Sequence, residues 1–186
     1  MDKYKNKFRI SSSRLQNWDY GWNAPYFVTI CTANRECYLG EIQNNEMILS
    51  EIGFKANEFW LEIPEHFPFV KLDEFVVMPN HVHGIIIIDK PDDGRNDENN
   101  DKQSHQPKPQ SQTAAASQKW KPGTLGAIIN QYKRICTIES RKINPDFAWQ
   151  SRFHDHIIRN NAEYQRIKNY IINNPQKWKG DKFYND

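Results

Sequence analysis

The run from His81 to Asp89 constrains the fold more than any other part of the sequence. It reads HVHGIIIID, and its four successive isoleucines after Gly84 leave no polar face. A run of this length and composition is typical of a β-strand that is buried on both faces. The sequence therefore predicts a sheet in which this strand holds a central position.

The segments around this strand alternate between strand and helix patterns. Extended structure is predicted at 26–32, 70–78 and 147–158, together with a hairpin over 37–49 that turns at 43–45. Three helices are predicted: 50–63, stopped by Pro64; 125–143, capped by Thr124; and a last helix capped by Asn160, with Glu163 completing a capping box and Pro175 ending it. This order predicts an α+β fold, a central antiparallel sheet with helices packed on it.

A polar stretch divides the chain. Residues 90–118 contain, apart from proline, no apolar side chain larger than alanine. Such a stretch cannot bury enough apolar surface to offset the entropy lost on ordering. We therefore expect one domain over residues 1–186, with a basic N-terminal arm at 1–14 and a disordered insertion at 90–118.

The length of the apolar runs and the spacing of the cysteines indicate where in the cell the protein is expected. No apolar run approaches the roughly 18 residues of a membrane span, so we expect no membrane partner. Cys31, Cys37 and Cys136 have neither the spacing of a disulfide framework nor that of a metal motif. They are expected to be buried, inert thiols of a cytoplasmic, nucleoid-associated protein.

Charge is unevenly distributed, although the whole chain carries only +2. Residues 1–89 carry 8 basic and 12 acidic groups, residues 90–118 carry 4 and 5, and residues 119–186 carry 13 and 6. The basic last third is consistent with a polyanionic partner, most commonly nucleic acid, and equally with a solvated basic surface.

Two histidines begin the central strand. His81 and His83 are two residues apart, so their side chains point to the same face of a strand. Neutral imidazoles in this arrangement can share one cation. For so short a motif, two unrelated histidines at a strand start are the commoner explanation.

Tyr170 and Asn174 are four residues apart in the last helix and so share one of its faces. An asparagine carbonyl oxygen could be a third metal ligand, and a tyrosine hydroxyl beside that metal could attack a phosphodiester. On the helix alone, a packed tyrosine and a helix-ending asparagine explain the pair as well.

Several motifs in a fixed order favour a functional role for both pairs, His81 with His83 and Tyr170 with Asn174. They are Arg14 with Asp19-Tyr20; Tyr26 to Thr32 with Arg35; Val77-Met-Pro-Asn-His-Val-His-Gly84; Gly123 to Gly126 with Tyr132-Lys133; Trp149-Gln150 with Phe153 to Arg159; and Tyr170-Ile-Ile-Asn-Asn-Pro175. In this order and separation they resemble the single-tyrosine HUH transposases of the IS200/IS605 group, and most closely their REP-associated tyrosine transposase branch. The likeness covers most of the chain outside residues 90–118.

The resemblance implies a ferredoxin-like form of the α+β fold, a site and a reaction. It implies His81, His83 and Asn174 as ligands of a divalent metal, Mg²⁺ or Mn²⁺, and Tyr170 as the catalytic nucleophile. The reaction would be cleavage and transfer of single-stranded DNA through a 5′-phosphotyrosine intermediate. The resemblance places the second histidine pair, His154 and His156, on a strand beside the site and not among the ligands.

The expected partner is single-stranded or hairpin DNA. Six cations are candidate contacts to its backbone, each with a solvated surface charge as the alternative: Arg14, Lys133, Arg134, Arg152, Arg159 and Arg166. The insertion leaves open a homodimer in which the tyrosine helix serves either its own subunit or a partner's. The alternative functions are a hairpin DNA- or RNA-binding protein without turnover and an unrelated α+β RNA-binding domain.

Overall fold

The computed structural model describes residues 3–4, 7–8, 18–91 and 121–184. The strands are β1 (Lys3–Tyr4), β2 (Lys7–Phe8), β3 (Ala24–Cys31), β4 (Gly40–Gln43), β5 (Glu46–Leu49), β6 (Val70–Met78), β7 (His81–Ile88) and β8 (His154–Ile157). The α-helices are α1 (Glu51–Leu61), α2 (Ile63–His66), α3 (Leu125–Ser140) and α4 (Asn161–Ile172), and short 3₁₀ helices span Ala33–Arg35 and Pro175–Gly180. Arg14, most of the basic arm and residues 92–118 of the proposed insertion lie outside the described residues.

A four-stranded sheet in the order β6-β7-β3-β8 organises the chain, and every neighbouring pair in it is antiparallel. The isoleucine-rich strand β7 lies inside this sheet, as its composition predicts. Helices α1 and α3 cover the face that carries Val82, whereas α4 packs on the face that carries Ile85. The α+β class with a central antiparallel sheet is thus confirmed.

The three long helices begin at the predicted capping residues. The side chains of Ser50 and Thr124 accept from backbone N–H groups three residues on, and Asn160 accepts from the N–H of Glu163 at 2.9 Å. The predicted capping box is only half formed, because the Glu163 carboxylate accepts from the N–H of Arg159 at 3.0 Å. Glu163 also contacts Nε2 of His156 in β8 at 2.8 Å, and α4 packs on β6 and β7.

Some predicted boundaries are wrong. Pro64 does not stop the chain from being helical but lies in the first turn of α2, where its missing N–H costs no hydrogen bond. Helix α3 ends at Ser140, three residues before the predicted end. Within the predicted extended segment 147–158, only His154–Ile157 is a strand, preceded by an isolated bridge between Trp149 and Thr32.

Cys31 and Cys136 are buried as predicted, but the prediction is wrong for Cys37, which is exposed together with Glu36 just before the turn that leads into β4. Among the described residues no helix is long and apolar enough to cross a bilayer.

Gly84 follows the histidine pair and lies directly under a tryptophan. A Cβ at this position would fall 2.2 Å from Cζ2 of Trp60, which is completely buried and stacked on Phe75. We expect Gly84→Ala to lower the free energy of unfolding by about 1–3 kcal/mol, because a packed core cannot take up the extra methyl group. Urea unfolding measures this, and Gly180→Ala, which has nothing within 4 Å of the added Cβ, is the matched control. Equal stability of the two variants would contradict the expectation.

Candidate active site

His81 and His83 come together because they occupy alternate positions at the start of β7. They pair in register with Cys31 and Thr29 of β3, on the face opposite Val82. Their ring centroids are 4.4 Å apart, and the two residues are 0% and 1% exposed. The strand therefore presents both imidazoles side by side in a buried position.

Hydrogen bonds at the inner nitrogens fix the orientation of both rings. Nδ1 of His81 lies 2.8 Å from Oδ1 of Asn80, whose amide nitrogen donates to the carbonyls of Arg35 and Phe183. The Oδ1 atom of Asn80 can only accept a hydrogen bond, so Nδ1 of His81 carries the hydrogen and Nε2 of the same ring keeps a lone pair. Nδ1 of His83 lies 2.9 Å from Oγ1 of Thr29. This is the arrangement in which a second partner orients a metal-binding histidine.

Both imidazoles are neutral at ordinary pH. Burial lowers the pKa of His81 to about 3, against a smaller opposite effect of the Asp181 carboxylate. Burial also lowers the pKa of His83 well below its usual value, and the neighbouring His81 adds to the shift. Neutral imidazoles have the lone pair that a metal ligand needs.

Helix α4 and the turn after it bring Tyr170 and Asn174 to the histidines. Oη of Tyr170 lies 3.1 Å from Nε2 of His83, within the same chain, and the residue is 37% exposed. Asn174 is 1% exposed, and its amide nitrogen donates to Oδ2 of Asp181 at 3.0 Å. The four residues that the sequence singled out for chemistry therefore converge on one place.

Two atoms at this place are buried and have no hydrogen-bond partner among the described residues: Nε2 of His81 and Oδ1 of Asn174. A buried polar atom without a partner is costly and requires an explanation. Both are atoms through which imidazole and amide side chains bind a cation. No three His, Cys, Asp or Glu side chains gather into such a site within the described chain, so the candidate set consists of two histidines and an amide.

The residues after α4 line one side of the site, which no sequence motif predicts. Asp181 accepts from Oη of Tyr170 at 3.2 Å as well as from Asn174. The ring of Phe183 lies 4.6 Å from that of His81, and Trp178 is 5.9 Å from the same ring. Asn80 belongs to a recognisable motif, but its role in orienting His81 emerges only from the packing.

The acidity of Tyr170 is weakened by its surroundings. Burial raises its pKa to about 12, and the Asp181 carboxylate adds to the increase. Formation of a phenolate at neutral pH is therefore unfavourable in the protein alone. A nucleophilic role requires a positive charge near the hydroxyl or proton transfer during the attack.

The second histidine pair, His154 and His156, lies on the same face of the sheet but is not part of the cluster formed by His81, His83, Tyr170 and Asn174. His154 of β8 is paired with Thr29 of β3, the strand that separates β8 from the His83 strand β7, and His156 is paired with Phe27 of β3. Nε2 of His156 contacts the carboxylate of Glu163 at 2.8 Å. The structure thus places both on a strand next to the site.

The candidate DNA contacts fall into two groups. Lys133 and Arg134 line a groove of about 430 Å³ on the outer side of α3 together with Arg141, and no acidic residue is among the described residues that line it. Arg152 is exposed and follows Ser151, which lines this groove. Arg159 precedes the N-cap of α4, whereas Arg166 lies in the middle of the helix, one turn before Tyr170, and contacts Glu163 at 3.6 Å.

Lys133 also has a structural role. Its Nζ donates to the backbone carbonyls of Gln150 and Ser151, and burial lowers its pKa. It therefore ties α3 to the segment that leads into β8. Of the two groove cations predicted from the sequence, Arg134 is the more exposed.

Comparison with solved structures identifies the fold. A REP-associated tyrosine transposase, solved bound to a REP hairpin, is similar at a TM-score of 0.59 and 20% identity, over 93% of this chain and 77% of that one. A putative transposase from Deinococcus radiodurans is similar at a TM-score of 0.45 and 12% identity, over 89% and 97% of the two chains. The protein has the fold of the REP-associated tyrosine transposase, in agreement with the resemblance seen in the sequence.

The family follows from the sequence comparison. An uncharacterized protein of Haemophilus influenzae (strain ATCC 51907 / DSM 11121 / KW20 / Rd) is 38% identical over 176 residues, 94% of this chain and 93% of the relative. The chain belongs to the family of this Haemophilus protein. No protein-family model matches it.

Proposed function

We propose that this protein is a metal-dependent endonuclease and strand transferase that acts on single-stranded DNA at hairpins. The observation that carries the proposal is the distance of 3.1 Å between Oη of Tyr170 and Nε2 of His83, beside the unpartnered atoms of His81 and Asn174. The shared fold with a transposase solved on a REP hairpin supports the choice of substrate. A homodimer and nucleoid association stay predictions.

The reaction we propose is a transesterification at phosphorus. Oη of Tyr170 attacks the phosphodiester, the bond between phosphorus and the 3′ oxygen breaks, and the phenol proton is replaced by the new bond to phosphorus. The products are a 5′-phosphotyrosine and a strand with a free 3′-OH, which takes up one proton, so atoms and charge balance. Attack of a 3′-OH on the phosphotyrosine reverses the step and joins strands.

His81, His83 and Asn174 would hold the divalent cation, Mg²⁺ or Mn²⁺. All three are uncharged, so the charge of the ion remains available for a phosphate oxygen. When bound, the ion supplies Lewis-acid polarisation of the phosphodiester. The buried rings, fixed by Asn80 and Thr29, hold the ligand atoms ready without further rearrangement of the strand.

A covalent trapping assay tests the proposal. The full chain is incubated with Mn²⁺ and a labelled pool of hairpin oligonucleotides that carry randomised single-stranded flanks. We expect a protein–DNA adduct that survives denaturing gel electrophoresis and that requires the metal. Retention of hairpins on a native gel without any adduct, at every flank sequence, would contradict turnover and support a binding protein instead.

The α3 groove is our proposed contact to the DNA backbone. We expect Arg134→Gln to weaken hairpin binding several-fold and to reduce the slope of log affinity against log salt by about 1, because one phosphate contact releases about one counterion. Fluorescence anisotropy at several salt concentrations measures both. Lys71→Gln, the same charge change at an exposed site on β6, is the control; equal slopes for the two variants would contradict a groove contact.

A further inference from the structure

We propose that Asp181 is a positioning residue of this site, which orients the amide of Asn174 and the hydroxyl of Tyr170 for the metal-bound state. The inference rests on the proposed function. It assigns a role to a residue for which the sequence motifs give no indication.

The carboxylate of Asp181 is itself held firmly. Oδ1 accepts from the backbone N–H of Phe183 at 2.8 Å, which closes a tight turn after the 3₁₀ helix Pro175–Gly180. Oδ2 is left to face the site and accepts from two donors, Oη of Tyr170 and Nδ2 of Asn174, at 3.2 and 3.0 Å. One atom of Asp181 therefore contacts both the proposed nucleophile and a proposed ligand.

The first consequence concerns Asn174. A primary amide can turn either its oxygen or its nitrogen toward a neighbour, and only the oxygen can bind a cation. An ionised carboxylate can only accept hydrogen bonds, so it selects the nitrogen of Asn174 as its partner. Oδ1 of Asn174 is thereby left buried without a donor, in the orientation that a ligand requires.

The second consequence concerns Tyr170. Its hydroxyl has one hydrogen and two acceptors within reach, Nε2 of His83 and Oδ2 of Asp181. When the lone pair of Nε2 is used by a cation, His83 can no longer accept. Asp181 is then the acceptor that remains. It keeps the Tyr170 hydroxyl hydrogen turned toward itself, so that the lone pairs of Oη are left for the substrate.

The test measures metal binding without DNA and without turnover. Mn²⁺ is titrated into the full chain, and the free ion is followed by electron paramagnetic resonance. We expect Asp181→Ala to weaken Mn²⁺ binding about 10- to 100-fold, the usual effect of removing a partner that orients a ligand. Asp181→Asn can still accept from the N–H of Phe183 and so keeps the turn, but it then presents a donor N–H₂ group to the site. We expect it to bind Mn²⁺ about as weakly as Asp181→Ala, whereas a purely structural contribution to the turn would give nearly wild-type affinity.

Controls separate this inference from loss of fold and from failure of the proposed function. Asp146→Ala removes an exposed carboxylate elsewhere and should bind Mn²⁺ like the wild type, and thermal unfolding without metal should be similar for all variants. Wild-type affinity in Asp181→Ala, or faster adduct formation by that variant, would overturn the role of Asp181 and leave the proposed function intact. Absence of Mn²⁺ binding by the wild type would overturn both.

Discussion

Replacing Tyr170 by phenylalanine is expected to abolish the covalent protein–DNA adduct, a loss of at least about a thousandfold, because the substitution removes the hydroxyl oxygen that we propose attacks phosphorus. Hairpin binding should change by less than about twofold, since the ring and its packing against Phe27 are retained. Denaturing gels measure the adduct, and native gels with the same labelled hairpin measure binding.

Tyr164 offers a closely matched control on the same helix. Its hydroxyl donates to Asp73, and burial raises its pKa to about 12, as burial does for Tyr170. The two phenols are therefore similar in acidity and differ in their neighbours. We expect Tyr164→Phe to form the adduct at the wild-type rate. An adduct in Tyr170→Phe, or its loss in Tyr164→Phe only, would show that Tyr170 is not the nucleophile.

Replacing His81 by alanine is the second change with a large expected effect. The variant lacks one of three proposed ligands, so Mn²⁺-dependent cleavage should fall by at least about a hundredfold. Addition of EDTA to the wild type should give the same loss. Quantitative cleavage of a 5′-labelled hairpin at a series of Mn²⁺ concentrations measures it.

His81 also packs against Phe183, so a cavity could contribute to the loss. His81→Gln fills more of the space and should be as inactive as alanine while unfolding at nearly the wild-type temperature. His154→Ala removes an exposed imidazole from the same face of the sheet and should retain activity. Normal cleavage by both His81 variants would contradict a metal role for this residue.

The sequence predicts those parts of the molecule that depend on local pattern. The isoleucines of β7 indicate a central strand, the period of two places His81 and His83 on one face, and the helix period places Asn174 one turn after Tyr170. Each of these predictions uses residues within four positions of one another. The structure bears out the strand and brings the four residues together, whereas their chemical roles remain predictions.

The parts that the sequence does not predict depend on contacts between distant segments. The amide nitrogen of Asn80 donates to the carbonyls of Arg35 and Phe183, 45 and 103 residues away, and these contacts orient the oxygen that holds Nδ1 of His81. Asp181 is separated from Tyr170 by 11 positions, beyond the end of the helix pattern. Gly84 can be recognised as a place of close approach, but the tryptophan that approaches it cannot.

The alternation along β7 has a consequence for how such a gene can change. Val82 and Gly84 face the helices α1 and α3, whereas His81 and His83 face Tyr170. Packing of the core and the proposed chemistry therefore depend on alternate codons of one short stretch. Under the proposed function, one histidine substitution removes the reaction while Val82 and Gly84 still pack against the helices, so that a folded protein without turnover is one codon away from an active one.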